Sequence, residues 1–135
     1  MKKVLLTTLV VVIAGFVMFT VGGVLYYMDA MAEMAASFPD AMKTEPDMTM
    51  GIANMIVNSL LTTISFDRMG ISTAASGAKA GAWFMGLLFL AFNTQMLAMY
   101  NTMDVNFAIL DTAISAVMGA VLGAVCGFGL GKFSN

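Results

Sequence analysis

Long apolar blocks alternate with short polar breaks along this chain. Apolar runs cover residues 4–27, 49–66, 80–100 and 104–131. A helix needs roughly 20 such residues to cross a bilayer. The pattern predicts an all-α, integral membrane four-helix bundle, a single transmembrane domain over residues 1–135. The first run follows Lys2 and Lys3. It is longer than a secretory apolar core of about 7–15 residues, so it reads as a retained span. Tyr26 and Tyr27 close it as an interfacial belt would.

The breaks between runs set the expected topology. Residues 28–48 hold Asp29, Glu33, Asp40, Glu45 and Asp47, with Pro39 and Pro46 as helix breakers. Met28, Met31, Ala35 and Phe38 share a helical face there. This predicts a helical extension or interfacial helix ending before Pro39, then an acidic loop. A Ser-, Ala- and Gly-rich connection is expected from Asp67 to Lys79. The break near Asn101–Met103 is so short that the third and fourth helices must form an antiparallel hairpin. An N-in, C-in arrangement puts Lys2, Lys3, Arg68, Lys79 and Lys132 on the cytoplasmic side and only Lys43 outside, as the positive-inside rule asks.

Within the runs, small and polar residues fall on particular faces. Asp111, Ser115, Gly119, Gly123, Gly127 and Gly131 recur at every fourth position, which places them on one face of helix four. Small residues at that spacing let helix backbones approach closely. The expected partner is a helix of the same chain, and the alternative is a second copy in an oligomer. Asn54, Asn58, Thr62 and Ser65 form a polar face on helix two. Asn93 and Gln95 form the polar interior of helix three. A carboxylate at membrane depth is costly towards lipid, so Asp111 should face the bundle, with Asn93, Asn54 or Asn58 beside it. Asp104 should cap helix four.

Composition narrows the function. The chain is 60% hydrophobic and 10% charged, against about 25% charged in soluble domains. A net charge of −2 without basic clusters gives no basis for nucleic-acid binding. There is no His and a single Cys, Cys126. His-dependent triads and ordinary zinc sites are therefore excluded, and no catalytic residue or cofactor is expected. The acids Asp40, Glu45 and Asp47 lack EF-hand spacing. Gly119–Gly123 lacks the lysine and polar loop of a phosphate cradle. Of the 15 Met, Met96, Met99 and Met103 form a candidate Cu(I) set, because thioethers are soft ligands. With Gly119 and Gly123, Met99 and Met103 resemble parts of the three-helix copper transporters, although the spacing and span count depart from that family. Met is also a flexible filler of helix interfaces, and that reading is preferred.

Gly81-Ala-Trp83, Asn93, Phe107-Ala-Ile-Leu-Asp111 and the glycines after it resemble small bacterial four-helix membrane proteins grouped as a domain of unknown function. The resemblance covers about the second half of the chain. It implies no known activity, but it pairs Asn93 with Asp111 on facing helices. Where that family would carry a tryptophan motif, helix one has Gly23-Val-Leu-Tyr26-Tyr27. Small multidrug exporters also have four short helices, but their essential carboxylate lies in helix one. Here no charged residue follows Lys3 until Asp29. The expected function is a structural or accessory-subunit role in a bacterial inner membrane, as a homo-oligomer or within a larger complex. The alternatives are a small oligomeric transporter or channel using Asp111 and the amides of helices two and three, and a Cu(I)-handling protein.

Overall fold

The computed structural model describes residues 1–135 except 42, 44, 46 and 135; the expected break at Pro46 lies outside the described residues. Those residues hold four helices long and apolar enough to cross a membrane: α1 (Lys2–Ser37), α2 (Met48–Arg68), α3 (Ala74–Met99) and α4 (Val105–Lys132). At 1.5 Å per residue the 36-residue α1 is about 54 Å long, well beyond the roughly 30 Å of a hydrocarbon core. Its last ten residues, Met28–Ser37, are the expected helical extension.

The helix ends follow from local chemistry. Asp47 accepts from the Met50 backbone N–H at 3.1 Å and starts α2, and Asp104 accepts from that of Phe107 at 2.7 Å and starts α4. These are N-caps that satisfy otherwise orphaned donors. After α2 the chain turns through Gly70 at φ +72°, in the left-handed region. The Ile71 N–H donates to Phe66 O and the Gly70 N–H to Asp67 O, a Schellman ending. Phe66 and Ile71 are both buried in the core beside this turn.

The connection expected from Asp67 to Lys79 is shorter than that. Thr73 and Ser76 form a reciprocal capping box, so α3 begins at Ala74. A Ser- and Gly-rich stretch reads as a loop, but here Gly77 sits against α4, and only Gly70 serves the turn. α4 is the hub, with α1, α2 and α3 all packed on it. α1 and α2 are antiparallel, with Lys3 paired to Asp67 at 2.6 Å and Gly15 against Met55. That partly exposed ion pair contributes about 1 kcal/mol or less. The four helices thus have a basic end, carrying Lys2, Lys3, Arg68 and Lys132, and an acidic end, carrying Asp29, Glu33, Asp47 and Asp104.

α1 contains a π-helical segment, Gly23–Tyr27, in which the Met28 N–H donates to Gly23 O, five residues back. The covered stripe Val11, Gly15, Met18 and Gly22 would continue at Tyr26 in an unbroken α-helix. The extra residue in the π turn brings Tyr27 onto that face as well. It also rephases the extension. Of the expected face of Met28, Met31, Ala35 and Phe38, Ala35 and Phe38 are partly covered, whereas Met28 and Met31 are exposed and Ala30 and Met34 turn towards the rest of the protein instead.

Candidate functional site: a carboxylate held between three helices

Glycines fix the distance between α3 and α4, and that distance positions everything else. A Cβ placed on Gly77 or Gly81 would run into the backbone carbonyl of Gly123 or Gly119, and the same holds in the reverse direction. Gly127 and Gly131 meet the carbonyls of Thr73 and Ser72. The glycine stripe of α4 therefore packs within the chain, against a second glycine pair on α3. Gly77 lies in the stretch expected as a connection and Gly81 at the start of the third apolar run, and neither is assigned a packing role from the sequence.

Nearer the acidic end the same two helices separate enough for side chains to enter. Asp111 lies on the glycine stripe and is buried, and Asn93 is buried opposite it on α3. The Asn93 amide donates to Asp111 Oδ2 at 2.8 Å. It also reaches Thr112 Oγ1 at 3.1 Å and the Ala108 carbonyl at 3.2 Å. The other carboxylate oxygen, Oδ1, accepts from the Tyr27 hydroxyl at 2.6 Å. Such short O–H···O contacts are typical of a carboxylate acceptor. One acid thus joins α1, α3 and α4.

Tyr27 was expected in an interfacial belt; the π segment turns it inward instead. Its neighbour Tyr26 stacks on Phe107 of α4, with ring centroids 6.2 Å apart. The amides expected beside Asp111 from α2 are not there. Asn58 donates to Asn54 Oδ1 at 2.9 Å and to Asn54 O at 3.1 Å, a pair made within one helix turn, and Asn54 is exposed. The polar face of α2 is buried only at Thr62, further along the helix. Gln95, expected in the interior, is exposed and donates to Met99 Sδ. That bond occupies the sulfur of an exposed member of the candidate Cu(I) set; Met96 and Met103 are partly covered.

Outside the carboxylate lies an open cleft of about 720 Å³ between the α1 extension and the α3–α4 turn. Tyr26, Asp29, Glu33, Met103, Asp104 and Phe107 are among its walls, and Asp111 and Tyr27 are not. The stacked Tyr26 and Phe107 rings are part of what separates it from the acid. The two salt bridges found among the described residues, Lys3–Asp67 and Lys43–Asp47, leave Asp111 without a cationic partner.

No family model, curated protein or solved structure matches this chain. What the site can do is therefore argued from its geometry. Hydroxyl and amide donors hold a carboxylate in place, and neither the tyrosine hydroxyl nor the amide is charged at neutral pH. No group of three or more His, Cys, Asp or Glu residues able to hold a metal occurs among the described residues.

Proposed function

We propose that this chain is a four-span, non-enzymatic membrane protein of the bacterial inner membrane, with a structural or accessory-subunit role in a larger assembly. The observation that carries this reading is the state of Asp111. Both its oxygens accept from fixed donors, and it does not line the cleft. A transport carboxylate must exchange partners with its cargo and meet solvent on the way. This one is built into a joint. The apolar side chains that face outward on all four helices, such as Leu9, Val57, Leu87 and Val117, suit lipid or partner helices.

Native purification in mild detergent, followed by mass spectrometry of the intact particle, tests the proposal. The expected result is a defined complex, either with other membrane subunits or with further copies of the chain. A lone monomer that, in liposomes, carries a proton or cation flux lost in Asp111→Asn would replace this reading with a transporter.

The proposed orientation places both termini in the cytoplasm and the acidic end outside. Cysteines introduced at Glu45 and Ser72 report on it, because the native Cys126 is buried and out of reach of reagents. Position 45 should react with a membrane-impermeant maleimide in intact cells, and position 72 only after permeabilisation. The opposite pattern would invert the topology.

A further inference from the structure

α2 is the least apolar of the four helices, yet most of its residues stay uncovered within the chain. Its buried face, Ser59, Thr62, Thr63 and Phe66, packs on α1 and α4. To one side of that face runs a second stripe: Gly51, Asn54, Asn58, Leu61 and Ser65. The spacing alternates between three and four residues, which is the seam of a helix that pairs lengthwise with another helix. Gly51, Asn54 and Leu61 are exposed, and Asn58 and Ser65 are only partly covered. A Cβ on Gly51 would meet nothing within 4 Å, so the seam is open to a close approach there.

Asn58 is the central residue of α2, about 15 Å from either end at 1.5 Å per residue. In the four-span membrane protein proposed above, on which this interface rests, that is the middle of the hydrocarbon core. The amide pair there is only half satisfied. The Asn58 amide donates to Asn54 Oδ1 and to the Asn54 carbonyl. The Asn54 Nδ2 donors and the Asn58 Oδ1 acceptor have no partner among the described residues. Lipid offers them none. An apolar partner helix would leave both unanswered, whereas a second copy of the same stripe supplies both. We propose that this stripe of α2 is a homodimer interface, in which Asn54 Nδ2 of each chain donates to Asn58 Oδ1 of the other. Copies that cross the membrane in the same direction are related by a two-fold axis along its normal, so the bond forms twice and the face closes after two chains. The stripe carries no charge, and two copies meet without repulsion.

Disulfide trapping in native membranes tests the interface, because the native Cys126 is buried and stays silent. In the full-length protein, Gly51→Cys and Leu61→Cys should each link two copies on mild oxidation. Ile56→Cys, at the same depth on the other side of α2 and 46% exposed, should stay monomeric. Asn54→Ala/Asn58→Ala should weaken dimerisation by about tenfold or more, as the loss of two interhelical amide bonds implies. Energy transfer between labelled copies in liposomes, followed as lipid dilutes the protein, reads that change. Seam cysteines that do not link, a link at Ile56 as fast as at Gly51, or a double alanine variant as dimeric as wild type overturns the proposal. Seam cysteines that link only to a different protein overturn it too, and leave the accessory-subunit reading standing. A lone chain with an Asp111-dependent flux defeats both. If the double alanine variant fails to fold, the cysteine pattern in the otherwise native chain still decides.

Discussion

Gly81→Ala and Gly123→Ala are each expected to destabilise the protein by at least about 1–3 kcal/mol, the cost of overpacking a well-filled interior. The added methyl at either position meets the backbone of the opposite helix rather than a side chain able to rotate away. The helices must therefore separate, and every neighbouring contact of the stripe loosens with them. Leucine at the same positions should prevent assembly of the α3–α4 hairpin. Gly51→Ala is the control. A Cβ there meets nothing within 4 Å, so alanine in that helical position should be neutral or stabilise by up to about 1 kcal/mol. Thermal unfolding in detergent reads all three. Wild-type stability for Gly81→Ala and Gly123→Ala would mean that the two backbones do not approach as described.

Asp111→Ala should cost about 1–3 kcal/mol, because it strands the Tyr27 hydroxyl and takes an acceptor from the Asn93 amide. Asp111→Asn keeps one side-chain acceptor oxygen and should lose about 1 kcal/mol or less. Tyr27→Phe removes a single bond. A double-mutant cycle separates partners from bystanders. Tyr27→Phe combined with Asp111→Ala should cost clearly less than the sum of the two single losses. Asn54→Ala combined with Asp111→Ala should add up. Additivity in the first pair would show that the hydroxyl and the carboxylate do not interact.

The four helices were legible because their signal is composition, repeated over about 20 residues at a time. The pairing of Asp111 with Asn93 was legible from a resemblance and from one face of one helix. What escaped depended on shifts of one residue or on context. Tyr27 reaches Asp111 because the π segment at Gly23–Tyr27 adds one residue to a helix turn, and no periodicity announces that. Gly77 sits among Ser, Ala and Lys, where local composition reads as loop, and Gly81 opens the third apolar run, so neither shows a packing role until the facing glycines of α4 are placed against them. Asn54 and Asn58 looked like an inward face, yet they bond to each other within one turn and to no other helix of the chain.

The joint at Asp111 draws its two donors from widely separated points in the order of synthesis. Tyr27 is made before Asn93, and the acid that needs both follows them. An α3–α4 hairpin formed without α1 would present a carboxylate oxygen with no donor inside a greasy interior. An α1 without the hairpin would leave a tyrosine hydroxyl in the same position. Either half product thus carries a buried polar group without its partner, a defect that only the finished protein conceals.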